Sequence, residues 1–379
     1  MILITFQKKP KVKHPNQRLT FEKILAPMYD IILSFITAFT LTYFAIPSII
    51  HVAKVKNLCD EPGERRSHTT AIPTLGGFAI FAGVIFSIIL WTPFGLFGDL
   101  QYILCAFIII FLIGAKDDIL PVSPTKKLIG QFLAATILVF KSNVTITSLY
   151  GIFGITTLPE PVSILLSIFT ILVVINAFNL IDGINGLSGS IGTLIAMTFG
   201  TWFLLVERVE LAIVAYSTAG ALIAFLKYNY SPAKIFMGDT GALLIGLVCS
   251  ILVIEFIEFH KEIPNSPYAF QSVPAVAVGI LILPLFDTLR VFITRILSGK
   301  SPLYPDRTHI HHLLLDIGCS HMQATGILVF VNIFFIGVVV TLQGIGNLNL
   351  LLTLLILATL MSSILFYFVS RKKVKQTAI

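Results

Sequence analysis

Two adjacent carboxylates, Asp117 and Asp118, close the apolar run 101–115, and Lys127 opens the next one. Ionised groups are costly near hydrocarbon, so acids at a membrane edge usually face a polar cavity, a cation or a substrate. The pair suits Mg²⁺, which takes oxygen ligands and is commonly shared between carboxylates and substrate phosphates. In the other reading they balance Lys116, Lys126 and Lys127 in a solvated loop. Further on, Asn176, Asn179, Asp182 and Asn185 recur every three residues, which brings several of them to one face of a helix or turn. Gly183 and Gly186 among them permit close backbone approach. Asp239, flanked by Gly238 and Gly241, is either a helix cap or a third acid completing a metal site.

The remaining polar clusters suit anions. Arg65 and His68 could bind phosphate, unless Asp60 and Glu64 simply neutralise them in a loop. Arg307, His309, His311 and His312 lie without a nearby cysteine and at a spacing poor for zinc, which favours phosphate binding or proton handling. Asp287 and Arg290, at i,i+3, read as a structural ion pair on a helix that Pro284 kinks or breaks.

Apolar segments must position these residues. Of 379 residues, 56% are hydrophobic and 12% charged, which excludes an ordinary soluble domain. Eleven runs are candidate membrane helices: 30–52, 75–94, 101–115, 127–143, 162–177, 187–206, 211–227, 241–258, 273–297, 325–343 and 348–369. The fold class expected is an all-α polytopic membrane protein. It comprises a basic tail (1–29), a single transmembrane domain (30–370) and a second basic tail (371–379). The alternation Val144 to Thr147, the turn at Tyr150-Gly151 and the run to Leu158 predict a small outward β-hairpin. No secretory signal is expected at the N-terminus. Cys59, Cys105, Cys249 and Cys319 form neither a disulfide framework nor a zinc module.

With eleven crossings, the loops at 53–74, 116–126, 178–186, 228–240 and 298–324 share one side with the C-terminal tail. They hold most of the lysines and arginines, against Lys141, Arg208 and Lys261 in the opposite interspan loops. The richer side is expected to be cytoplasmic, and every polar cluster named above lies on it. The basic N-terminal tail disagrees, and a natural start at Met28 would remove the conflict. The net charge of +7 is spread over loops, so anionic lipids and substrates are expected partners and nucleic acid is not. A secondary transporter is the competing class, but no internal repeat is evident and the acids lie in loops on one face.

Together these stretches resemble the polyprenyl-phosphate N-acetylhexosamine-1-phosphate transferases, a family that includes initiating enzymes of bacterial cell-surface glycans. The matching pieces are DxPxxRxxH at 60–68, PTLGG at 73–77, Asp117-Asp118 with Lys127, NxxNxxDG at 176–183, FMGDTG at 236–241, PLFDT at 284–288 and RTHIHH at 307–312. Where the family often has DGxDG, this chain has Asp182-Gly183-Ile184-Asn185-Gly186, so Asn185 supplies no charge. The resemblance implies a helical bundle around a cytosol-facing cleft in the bacterial inner membrane. It further implies Mg²⁺-dependent (or Mn²⁺-dependent) transfer of a sugar 1-phosphate from a UDP-N-acetylhexosamine to undecaprenyl phosphate, with release of UMP. The motif forms are similar to the N-acetylglucosamine branch; other UDP-N-acetyl sugars and UDP-muramyl-pentapeptide are alternative donors, and a homodimer is an expected assembly. By the same resemblance Asp239 and Asn179 would hold the metal, and Asp117 and Asp118 would orient the lipid phosphate or take its proton. Lys127, Arg307, His309, His311 and His312 would contact phosphates, with Asn176 and Asp182 on the nucleotide side. Asp60, Arg65, His68 and Asn185 complete the expected substrate contacts.

Overall fold

The computed structural model describes residues 21–60, 72–98, 100–301 and 308–377. Each expected apolar run forms a helix: α1 (Phe21–Val55), α2 (Gly76–Trp91), α3 (Leu100–Ile119), α4 (Pro124–Lys141), α5 (Glu160–Ile181), α6 (Leu187–Leu205), α7 (Val209–Asn229), α8 (Gly238–Phe259), the pair α9 (Val273–Ile280) and α10 (Ile282–Leu297), then, after the short α11 (Ile310–Asp316), α12 (His321–Leu342) and α13 (Asn347–Thr377). Two-residue strands β1 (Cys59–Asp60) and β2 (Ile72–Pro73) pair antiparallel before α2. Among the described residues seven helices are long and apolar enough to cross a membrane, or eight if α9 and α10 form one broken span. The chain is an all-α polytopic membrane protein.

Burial orders the bundle. The apolar windows of α7 and α8 are each 83% buried, against 28% for α1 and α12 and 22% for α13, so α7 and α8 form the centre and the others the rim. α8 packs on α3 and α5, and α7 on α1 and α6. Small residues set the closest approaches: a Cβ on Gly114 of α3 would fall 2.5 Å from the Thr240 Cα of α8. Without hydrophobic force between helices in lipid, such close contact and interhelical hydrogen bonds hold the bundle together.

One expected element differs in the structure and another is present. No two-stranded ladder forms among residues 144–158; the chain turns back there, joined by the bond from Leu158 N to Thr147 O at 2.9 Å and an isolated bridge between Ile152 and Ile155. Helix side chains take the backbone groups that a strand partner would have taken. Ser167 Oγ accepts from Ile146 N at 2.8 Å, Ser163 Oγ donates to Ile146 O at 2.7 Å, and Glu258 Oε1 accepts from Thr147 N at 2.8 Å. The break expected from Pro284 is present, as an 82° bend between α9 and α10 just upstream of it. Pro284 has no N–H to offer the Ile280 carbonyl, so the helical ladder fails one turn upstream. The fully buried Asn332 of α12 repairs the gap, donating to Ile280 O at 3.1 Å and accepting from Leu283 N at 3.3 Å. Replacement Asn332→Leu strands both backbone groups, and thermal unfolding in detergent should show a loss of about 1 kcal/mol. An unchanged unfolding temperature would mean that the break holds without Asn332.

Candidate active site

The segment joining α7 to α8 organises the site. Phe236 N donates to Pro73 O (2.7 Å), while Phe236 O and Met237 O accept from Gly76 N (2.9 Å) and Gly77 N (2.8 Å), so this segment satisfies the first amides of α2. The amides that open α8 meet a side chain from another helix: Asp118 Oδ1 accepts from Asp239 N at 2.7 Å and Oδ2 from Thr240 N at 3.0 Å. Thr240 Oγ1 donates to the same Oδ2 at 2.5 Å. Gly238 makes this possible, because its φ is +70° and a Cβ there would lie 2.1 Å from Thr74 O and 2.6 Å from Asp118 Oδ1. Burial pushes the Asp118 carboxyl up to about 7, against the downward pull of these hydrogen bonds.

With the start of α8 fixed, the Asp239 side chain is aimed at two partners. Asn179 Nδ2 of α5 donates to its Oδ1 at 2.6 Å, and Lys127 Nζ of α4 donates to its Oδ2. Lys127 also pairs with Asp117 Oδ2 at 2.8 Å, so one ammonium bridges two carboxylates from different helices. Asp117 accepts from Val122 N at 2.6 Å. Burial alone would raise the Asp117 carboxyl, but its contact with Asp239, the bonds from Lys127 and Val122, and the lysine charge hold it at about 2.

These groups open onto a cavity of about 690 Å³ whose wall includes Thr74, Asp117, Asp118, Asn179, Asp182, Asn185, Phe236, Asp239 and His312. Asp182 accepts from Ser188 Oγ, and burial pushes its carboxyl up to about 7. Asn185 donates to Ser231 Oγ at 2.9 Å. Among the described residues no three His, Cys, Asp or Glu side chains converge tightly enough to hold a metal by themselves.

The structure divides the expected site residues. Asn176 stands back from the cavity, donating to Gln131 Oε1 at 2.7 Å and Leu172 O at 2.8 Å, and so ties α5 to α4. Both oxygens of Asp118 are engaged by α8, which makes it a support for Asp239 as much as a cavity group. Of the three imidazoles expected on phosphate, His312 reaches the cavity wall. His309 is 5% exposed and bonded through Nδ1 to Asp287 Oδ2 at 2.9 Å. His311 is 2% exposed with its ring against Gly183, and burial, reinforced by the neighbouring His312, holds it down to about 3. Both rings are buried and support the wall. Arg65, His68, Arg307 and the Asp60 side chain lie outside the described residues. Thr240 and Asn229 were not among the expected residues. Asn229 lines the cavity, accepts from Gly186 N at 2.6 Å and donates to Ile235 O at 2.9 Å. Its only sequence signal is a lone amide ending an apolar run.

The chain belongs to glycosyl transferase family 4, whose sequence pattern it matches over residues 100–257, the segment from α3 to α8 that supplies Asp117, Asp118, Lys127, Asn179, Asp182 and Asp239. It is a membrane-embedded transferase. Among its relatives, the decaprenyl-phosphate N-acetylglucosaminephosphotransferase of Mycolicibacterium smegmatis is 31% identical over 319 residues, covering 79% of this chain and 78% of that one. The corresponding protein of Mycobacterium tuberculosis is 30% identical over 78% of both chains. The undecaprenyl-phosphate alpha-N-acetylglucosaminyl 1-phosphate transferase of Salmonella typhi is 28% identical over 332 residues, 85% of both chains.

The bridge at Lys127 has a pH signature. Asp117 sits below its ordinary value of 3.8, so its pairing stabilises the fold above that pH and is lost as pH falls towards about 2. In Lys127→Met the two carboxylates face each other without a cation, so the stability that Asp117 contributes above its ordinary value of 3.8 is lost: the variant should fall below wild type most at neutral pH, and the gap should close as pH drops below 3.8. Coincident unfolding-versus-pH curves for the two proteins would show that the bridge does not form.

Proposed function

We propose that this protein transfers N-acetylglucosamine 1-phosphate from UDP-N-acetylglucosamine to undecaprenyl phosphate or a polyprenyl phosphate of similar length, releasing UMP. The observation that carries this reading is the cluster of Asp117, Lys127, Asn179 and Asp239 at the ends of α3, α4, α5 and α8, open to a cavity at the edge of an apolar bundle. The relatives support it, since their names share a polyprenyl phosphate acceptor and an N-acetylglucosamine phosphate group and differ in prenyl length.

An acceptor phosphate oxygen attacks the phosphorus that bears the sugar. A new P–O bond forms, the diphosphate bond of the donor breaks, and its electron pair leaves on UMP. Most of the catalytic task is then to hold two anionic substrates together and to balance charge on the leaving phosphate. The oxygen-rich donor set suits Mg²⁺ shared with substrate phosphates, because Asp239 and the Asn179 carboxamide are hard ligands and too few protein groups converge to enclose the ion alone. When bound, the metal would neutralise diphosphate charge. Asp239 and the Asn179 carboxamide are the residues that would hold it. Lys127 offers a fixed positive charge beside the same phosphates, Asp117 orients that ammonium, and His312 faces the cavity from the α11 side.

The excess of lysine and arginine on the loops that build the cavity supports a cytoplasmic active site, with eleven crossings in a bacterial inner membrane. Product made there would start a cell-surface glycan.

The test is UMP release by purified protein given undecaprenyl phosphate, Mg²⁺ and UDP-N-acetylglucosamine, with other UDP-N-acetyl sugars and UDP-muramyl-pentapeptide in parallel. Release should require lipid, metal and the first donor, and Asp239→Asn should lower it on the order of 10²-fold or more while the protein stays folded. Turnover of Asp239→Asn at the wild-type rate would remove the metal site, and release with another donor alone would reassign the sugar.

A further inference from the structure

Asp287 on α10 is 2% exposed and directs two of its three hydrogen bonds away from its own helix. Its Oδ1 accepts from Arg290 Nη2 at 2.8 Å and from Ile310 N at 3.0 Å, and its Oδ2 meets His309 Nδ1 at 2.9 Å. Arg290 Nη2 also donates to Thr308 O at 2.5 Å, so α10 grips the chain entering α11 through a carbonyl, an amide and a ring. From that anchor a row of imidazoles leads to the cavity. The His309 and His311 rings lie 5.7 Å apart with planes at 11°, and the His311 and His312 rings 4.3 Å apart. His311 closes on Gly183, where a Cβ would fall 2.2 Å from its Nε2, and His312 stands in the cavity wall.

We propose that Asp287 is a positioning residue of the transfer reaction: acting through His309 and the Ile310 amide, it fixes α11 so that His312 faces the substrates and His311 backs the Asp182-Gly183 wall. A carboxylate that served only α10 would need only Arg290. Here it holds the first turn of a short helix that has no side-chain cap of its own. The inference rests on the transfer reaction proposed above.

Two substitutions loosen the grip by different means. Asp287→Asn keeps the volume and removes the charge that holds Arg290 and His309. Ile310→Pro deletes the amide donated to Asp287, at the first helical position, where proline is tolerated, and Ile310→Ala controls for the apolar side chain lost with it. The preceding His309 already has φ −60° and ψ 149°, the extended conformation a residue before proline prefers. The experiment measures kcat and KM for UDP-N-acetylglucosamine in the UMP-release assay, alongside unfolding temperature, for wild type, both variants, the Ile310→Ala control and His312→Ala. Both variants should reproduce the kcat and KM changes of His312→Ala, with kcat falling on the order of 10²-fold as expected for a misplaced contact group. A fall in kcat with unchanged KM that tracks a lowered unfolding temperature reports loss of folded enzyme and overturns the proposal, as do wild-type kinetics in both variants. A silent wild type would instead strike at the transfer reaction itself, whereas an active wild type beside unaffected variants strikes only at the role of Asp287.

Discussion

The site depends on a helix start that cannot satisfy itself. The first amides of any α-helix lack internal partners, and the residue preceding α8, Met237, offers no side-chain cap. Asp118 of α3 supplies the missing acceptors, and its carboxylate also suits the positive end of the helix dipole. The carbonyls just before that start meanwhile receive the first amides of α2. Three helix ends are therefore locked around residues 236–240, and the direction of the Asp239 side chain follows from that lock. A carboxylate held by its backbone can approach another carboxylate and an ammonium without swinging away, which is what a preorganised charged site needs.

The charged groups of the site sit at the ends of apolar helices, where solvent and head groups moderate the cost of charge, yet they are partly shielded by the bundle. In that setting pairing decides the state of each acid. Asp117, beside Lys127, is held low, while Asp182, bonded to a serine hydroxyl, is driven up by burial. Acids of one chemical type are thus shifted in opposite directions around one cavity, according to which neighbour each helix brings.

The helices were legible in the sequence because lipid-facing and core-facing residues are both apolar, and the candidate site was legible because carboxylates, amides and imidazoles interrupt that pattern on alternate loops. Division of labour among neighbours was not legible. Asp117 and Asp118 are the same residue type, but consecutive positions on a helix point about 100° apart. One therefore faces Lys127 and the other the start of α8, and nothing local says which. The imidazoles at 309, 311 and 312 pose the same problem, since their roles follow from Asp287 and Gly183, both distant in sequence. The expected ladder is reduced to a turn because the alternation of Val144 and Ile146 records burial, with the Ile146 backbone bonded to helix side chains. Pro284 marked the broken helix, but the partner that satisfies the freed backbone groups, Asn332 from another helix, was not legible.

The tie between Asp118 and α8 spans 121 positions of chain, and this bears on how the protein is made. A ribosome delivers α3 to the membrane long before it delivers the amides that Asp118 will hold. In the meantime the carboxylate needs water, and its place at the very end of α3 provides it. The same acid one or two turns deeper would have to cross or dwell in hydrocarbon without a partner. Placing the acids at a helix terminus thus lets the early helices insert as ordinary apolar segments, with the charged centre assembling only when α8 arrives. Biogenesis and catalysis thereby make the same demand on where an aspartate can stand.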